Sequence, residues 1–312
     1  MGADTRSSAP RCILPAGADR TEWLAARRRG IGSSDISALL GLSAWASPYS
    51  LWVDKTTGLA AEGEPTDGPL YWGKTLEGPI ADDFARRNGF AIREPGLVGH
   101  PTIPWALATP DREVIDPATG EVIGLVEVKT ASTFQGHAWD GDDLGDPDRP
   151  SLAPENAIVQ LQWQLFVCGL NRGWVAGLVG GQWYHQIEYA RDDALVATLV
   201  EVAGAFWAQV ESGQRPACDG HPATTAALRE LYRASEDSSV LVDPTIAIPL
   251  LIARHQAKAE EKDAKFRAAE AENQLKELIG HHSAAVSDGS PLYTWRSDVN
   301  GRRRFHVPRG VI

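Results

Sequence analysis

The 312-residue sequence predicts a mixed α/β fold, with a central mixed sheet flanked by helices and a long helix plus short strands added after it. Three observations carry this. Helical and strand periodicities follow one another as helices, strands, helix, strands, helix from about residue 20 to Gly213. The run Gly124-Leu125-Val126-Glu127-Val128-Lys129 alternates with period two, and Pro117-Ala118-Thr119-Gly120 before it is a turn that folds the chain back on Asp111. A second pair, Gly173–Val179 and Trp183–Tyr189, is joined by the hairpin signal Gly180-Gly181. With 43% hydrophobic residues the chain can bury a full core.

The elements can be justified in order. Residues 1–18, rich in Ser, Ala, Gly and Pro, are expected to be disordered. Thr21 reads as the N-cap of a helix from Glu22 to Arg28, with Trp23 and Leu24 available to the core. Gly30-Ile31-Gly32-Ser33-Ser34-Asp35 breaks that helix and opens another, Ile36–Leu40, capped by Ser33 or Ser34. Ser47-Pro48 starts a third that runs through Leu51 and Trp52 to Gly58. A loop, Ala61–Gly68, leads to a helix over Leu70–Asn88, closed by Gly89, whose Leu76, Ile80 and Phe84 share a face. Short strands at Ala91–Ile92, Gly96–His100 and Trp105–Ala108 precede the Asp111 hairpin. After an acidic loop at 140–148, Pro154–Gly169 reads as a helix carrying Gln160, Gln162 and Gln164 among Leu161, Trp163, Leu165 and Phe166, and glutamines in so apolar a setting need hydrogen-bond partners. Asp192–Ser212 is a long amphipathic helix expected to cover the sheet. The core is expected to span 19–213, followed by a linker, Pro216–Gly220, and an accessory region over 214–312. That region holds a helix over Thr245–Ile279, charge-rich after Arg254 and closed by His281 and His282, and strands at Tyr293–Arg296 and Arg303–Val307.

Composition narrows the function. Cys12, Cys168 and Cys218 are odd in number and widely spaced, which argues against a disulfide framework and against Cys-x-x-Cys metal or iron–sulfur sites. No run of about 18 apolar residues occurs and no signal-peptide stretch opens the chain, so a soluble, intracellular protein without membrane association is expected. A net charge of -11 opposes indiscriminate polyanion binding, yet residues 1–34 carry six arginines against three acids and residues 289–312 five against one.

On the alternating strand, Glu127 and Lys129 share one face, at a sheet edge on this reading, and the turn brings Asp111 beside Glu127. Converging carboxylates are stabilised by a hard cation such as Mg²⁺, with the Val128 carbonyl as a third oxygen, and the adjacent lysine suits phosphodiester hydrolysis. The same residues also describe an amphipathic hairpin with a solvated Glu–Lys pair. Glu77, close to the buried stripe of its helix, needs a partner: Lys74 on the surface, or a metal. Gly30–Asp35 with Arg27, Arg28 and Arg29 forms an anion site at a helix N-terminus, or else Ser34 caps and the arginines are solvated.

Taken together these motifs resemble the YqaJ-type viral recombinase branch of the PD-(D/E)xK nucleases, the group that includes bacteriophage lambda exonuclease. The resemblance covers roughly residues 20–190. Trp23-x-x-x-Arg27 with Gly32-Ser33-Ser34 resembles the family's 5′-phosphate pocket, Gly73-Lys74-Thr75-Leu76-Glu77 its helical glutamate motif, and Thr109-Pro110-Asp111 its Ser-Pro-Asp, with Arg112 where glycine commonly follows. Glu127-Val128-Lys129 supplies the E-x-K, and Gln160-x-Gln162 matches the glutamine motif, the second glutamine being the one expected near the metal.

The resemblance implies a restriction-endonuclease-like core and a Mg²⁺-dependent exonuclease, with Mn²⁺ as a substitute, that degrades duplex DNA from 5′-phosphorylated ends and leaves 3′ overhangs. Asp111, Glu127 and the Val128 carbonyl would hold the metal, with Glu77 assisting directly or through water; Lys129 would position or activate the nucleophile, and Arg27, Ser34 and Ser33 would hold the end phosphate. It also implies a ring-shaped homo-oligomer, a single-strand annealing protein as partner, and a phage- or prophage-encoded protein in the bacterial cytoplasm. The alternatives are another nuclease of the superfamily, such as an endonuclease, and a non-catalytic DNA-end-binding scaffold, against which the intact Asp111, Glu127 and Lys129 argue.

Overall fold

A computed structural model describes residues 9–59, 66–133, 139, 152–308 and 311. The expected loop at 61–68 lies largely outside these, and the acidic loop at 140–148 entirely so. The chain forms two compact units, Met1–Ser235 and Glu236–Ile312.

The first unit is built on a five-stranded sheet of β2 (Ala91–Arg93), β5 (Arg112–Ile115), β6 (Val122–Ala131), β7 (Arg172–Val179) and β8 (Trp183–Ala190), in that order across the sheet. Neighbours are antiparallel except β6 and β7, which run parallel. A parallel pair needs a crossover, and helix α5 (Glu155–Cys168) lies between the two strands in sequence. Val114, Val126, Val128, Trp174 and Ala176 pack with Ile80 and Phe84 of α4 (Gly68–Asn88) on one face of the sheet. Leu125 and Val175 pack with Leu161 and Leu165 of α5 on the other. β6 is therefore the middle strand, covered on both faces, rather than an edge.

Three further helices, α1 (Arg20–Arg27), α2 (Ser33–Leu39) and α3 (Pro48–Thr57), precede α4. Asp19, not Thr21, caps α1: its carboxylate accepts from the backbone N–H groups of Thr21 and Glu22. At α2 neither serine is the cap. The Asp35 carboxylate accepts from Gly32 N at 2.9 Å, and Ser33 and Ser34 occupy the first turn. Helix α3 keeps its expected Ser47 cap and left-handed Gly58.

Part of the segment expected to be disordered forms a strand, β1 (Arg11–Leu14), in a second sheet of order β1-β3-β4, with β3 (Leu97–Gly99) and β4 (Leu107–Ala108). Ile31 bridges in parallel to Ala106, Ile31 N donating to Trp105 O at 2.7 Å and Leu107 N to Ile31 O at 2.9 Å. This contact ties the start of α2 to the strand leading into Asp111. It works only because Gly30 has no side chain, since a Cβ there would lie 2.2 Å from Trp105 O and 2.8 Å from Leu107 Cγ. Gly30→Ala is expected to destabilise the fold by about 1–3 kcal/mol, as overpacking does, read as a lower urea midpoint. An unchanged midpoint would contradict the close approach.

The helix read from Asp192 is α6 (Asp193–Ser212), and it covers helices rather than the sheet. Its Leu199, Ala203 and Phe206 join Ile36, Trp52, Val159 and Trp163 in one core. By length and composition alone α6 would suffice to cross a membrane; here Val196, Leu199, Ala203 and Phe206 are buried in protein. A helix missing from the sequence reading, α7 (Pro222–Leu231), buries Ala227 in the same core, and Thr224 Oγ1 lies 2.6 Å from Ser47 Oγ. The first unit thus extends past the expected Gly213 boundary.

The second unit holds α8 (Pro244–Ile279) and a sheet of order β11-β10-β9, from β9 (Ala284–Ser287), β10 (Ser290–Ser297) and β11 (Arg303–His306). Tyr293 donates to Leu275 O at 2.9 Å and Arg303 Nη1 to Gly280 O at 2.7 Å, which fastens the sheet to the helix end.

Candidate active site

Alternation along β6 sends Glu127 and Lys129 to the α5 face, where they meet Gln164 and Gln160, and Val126 and Val128 to the α4 face. Arg112 pairs with Val126 across the antiparallel ladder, so Asp111 arrives beside Glu127. Val128 N donates to Asp111 Oδ2 at 2.7 Å, which locks the loop to the strand. Glu127 is 3% exposed. One of its oxygens accepts from Lys129 Nζ, the other from Gln164 Nε2 at 2.6 Å.

The electrostatics follow. Burial, and then the negative charge of Glu127, push Asp111 well above the usual carboxylate range, against the opposing pull of Lys129. Burial works against the Lys129 ammonium, but Glu127, Asp111 and Glu77 outweigh it, and its pKa is raised. Lys129 is a cation at neutral pH. It can stabilise negative charge but has no lone pair with which to take a proton.

The three glutamines divide. Gln160 accepts from Lys129 Nζ at 2.8 Å and donates to Ser37 Oγ at 2.9 Å. Gln164 donates to Glu127 and, at 3.3 Å, to Ser33 Oγ. Gln162, expected near the metal, is turned away: it donates to Ala190 O at 2.8 Å and accepts from Asp192 N at 2.7 Å, joining α5 to the start of α6. Residues two apart on a helix point about 200° apart, while i and i+4 share a face, so Gln160 and Gln164 form the pair. The i, i+4 spacing was the signal that the sequence reading passed over.

Through Ser33 this network reaches the start of α2, where Arg27 donates to Ser34 Oγ and, at 2.8 Å, to Asp35 Oδ1. Lys55, absent from the sequence reading, is 1% exposed and lies 2.8 Å from Asp35 Oδ2. One buried carboxylate thus holds two cations, leaving a net positive charge beside two serine hydroxyls. Arg28 is engaged elsewhere, with Asp54 and Gly58 O. Burial alone would raise Asp35, but Lys55 and Arg27 hold it down at about 2, against an ordinary 3.8. A depressed folded-state pKa stabilises above the unfolded value and is lost as pH falls through the folded one. On the order of 2 kcal/mol should therefore disappear between about pH 4 and pH 2. Asp35→Asn is expected to flatten that part of the acid-unfolding curve, and an unaltered acid limb would refute the coupling.

Glu77 is paired, though not with Lys74 as the surface reading had it. Its Oε1 accepts from Arg112 Nη1 at 2.7 Å, and Arg112 also lies 3.3 Å from Glu94 Oε1 and donates to Asp111 O.

Residues 22–171 match the YqaJ-like viral recombinase domain. The uncharacterized protein YqaJ of Bacillus subtilis (strain 168) is 34% identical over 262 residues, covering 82% of this chain and 77% of its own length. The chain belongs to the YqaJ-like viral recombinase family. Two structures of LHK-Exo, an alkaline exonuclease from Laribacter hongkongensis, also align, one of them in complex with dAMP. They are 24% and 21% identical, cover 62% and 68% of this chain and 94% and 98% of theirs, and each has a TM-score of 0.46. The family assignment rests on the Bacillus relative.

In chain order α4, β2, β5, β6, α5, β7 and β8 supply the mixed sheet and flanking helices that the sequence predicted, all but β7 and β8 inside the matched stretch. Every polar residue of the network from Arg27 to Gln164 falls inside the matched stretch. Among the described residues no three His, Cys, Asp or Glu side chains gather as a ready metal cluster. What gathers is oxygen from two carboxylates, Asp111 and Glu127, beside the Val128 backbone. Gln164 Oε1 is buried there with no hydrogen-bond partner among the described residues. An all-oxygen set with two mutually repelling acids fits a hard divalent cation and does not fit a soft one.

Proposed function

We propose that this protein is a divalent-metal-dependent exonuclease that degrades one strand of linear double-stranded DNA from a 5′-phosphorylated end. The single observation that carries the reading is the Asp111–Glu127–Lys129 cluster, joined by Gln164 and Ser33 to the Arg27–Ser34 site.

The roles follow from that geometry. Asp111, Glu127 and the Val128 carbonyl would hold Mg²⁺, with Mn²⁺ as a substitute, and the bound ion supplies Lewis acidity and a more acidic water. Lys129, kept charged by its acidic neighbours, stabilises the phosphoryl oxygens as negative charge builds on them. Gln160 holds the lysine and Gln164 holds Glu127, so neither has to reorganise as charge moves. Arg27 and Ser34 receive the terminal phosphate, with Ser33 between that site and Glu127. Water attacks phosphorus, the bond to the 3′ oxygen breaks, and the shortened strand is left with a new 5′ phosphate for the same site.

In the same proposal the product is a duplex with a 3′ overhang, used in phage-type recombination by a single-strand annealing protein in the bacterial cytoplasm. An acidic chain can act on DNA if a ring of subunits turns its basic surfaces inward. The test is digestion of a linear duplex labelled at either end, with and without 5′ phosphate, against a closed circle. Loss of 5′ label first, faster with phosphate, and intact circles are expected. Cleavage of circles at the linear rate would overturn the exonuclease reading in favour of an endonuclease.

A further inference from the structure

Arg112, the residue after Asp111, has a side chain that is 11% exposed. It lines a cleft of about 470 Å³ with Glu77, Glu94, Lys74, Trp23 and Asp111. Arg112 faces the α4 side of the sheet, as its ladder partner Val126 does, and Glu77 and Asp111 line the same cleft. There the guanidinium is fixed by three acceptors, Glu77 Oε1, Glu94 Oε1 and the Asp111 carbonyl. A divalent ion on Glu77 would lie against that guanidinium, and like charges so close repel strongly. The two acids left for metal are Asp111 and Glu127.

We propose that Arg112 is a fixed cation filling the Glu77 side of the metal site, so that each chain binds one divalent ion and Glu77 positions Arg112 instead of ligating metal. This rests on the metal-dependent reading above. Phosphodiester cleavage can be assisted by two ions that share the developing charge. In this chain the guanidinium takes the place beside Glu77 that a second ion would need, held there by Glu77, Glu94 and the Asp111 carbonyl.

The experiment is Mn²⁺ titration of the full chain by calorimetry and electron paramagnetic resonance, which needs no substrate. One Mn²⁺ per chain is expected in the unmodified protein, and still one in Glu77→Gln. Asp111→Asn should weaken that ion by about a hundredfold or more. Arg112→Gly should admit a second ion with a spin-coupled signal; Arg112→Gln, which removes the charge but keeps part of the side chain's packing, serves if the glycine variant melts early. Two ions per unmodified chain, one of them lost in Glu77→Gln, would overturn the inference and leave the nuclease reading standing. A single ion in both folded Arg112 variants would also overturn it. Mn²⁺ binding unaffected by Asp111→Asn would sink the metal-dependent reading itself.

Discussion

Asp111→Asn and Glu127→Gln are each expected to slow cleavage of linear duplex DNA by at least about a thousandfold, because each removes a charge from the proposed metal site. Their effects on the fold should differ. Ionised Asp111 is disfavoured by burial and by Glu127, so replacing it relieves repulsion, and the metal-free melting temperature should rise. Asparagine can still accept from Val128 N. Glu127 is the partner of both Lys129 and Gln164, so Glu127→Ala would leave a buried ammonium without its carboxylate and should lower stability as well as activity. Glu127→Gln is the cleaner probe. Lys129→Ala should lose turnover while still binding Mn²⁺. Rates on end-labelled duplex, read with calorimetric metal affinity, test all of these, and full activity of Asp111→Asn in Mg²⁺ would refute the site.

The second large effect is expected at the end phosphate. Arg27→Ala should slow digestion of 5′-phosphorylated duplex by about tenfold to a hundredfold, the loss of a charge-assisted hydrogen bond of about 1.5–3 kcal/mol at about 1.4 kcal/mol per decade. Duplex lacking the phosphate should be digested at nearly the unmodified rate, so the preference between the two substrates collapses. Arg27 also pairs with Asp35, but Lys55 stays on that carboxylate, so the network keeps one of its two cations. Arg27→Lys should recover part of the phosphate preference, since it restores charge without the planar fork. Equal slowing of both substrates would assign Arg27 to the fold or to general backbone binding.

The E-x-K strand could be read from sequence because its chemistry is local. Period-two alternation alone puts Glu127 and Lys129 on one face, and a Pro-to-Gly turn returns the chain to Asp111. Helix ends closed by Gly58, Gly89, Gly169 and Gly213 were legible for the same reason, as each takes the left-handed conformation that glycine tolerates. Local pattern failed where a partner distant in sequence decided the outcome. Residues 11–14 carry weak strand propensity and form a strand because β3 pairs with them. The Asp192 helix looked like a sheet cover, yet its apolar face meets the apolar stripes of α2, α3 and α5, a meeting that no single segment reveals.

The same division runs through the site. Residue order by itself determined that an acid, a second acid and a lysine converge, that a serine-rich helix start follows a cluster of arginines, and that Glu77 cannot stay without a partner. Only the tertiary structure decided which partner each takes. Glu77 goes to Arg112, Lys129 to Gln160 and Arg27 to Asp35, contacts spanning 35, 31 and 8 residues. A buried charge settles on whichever compensating group packing brings within about 3 Å, and sequence spacing does not encode that distance between elements.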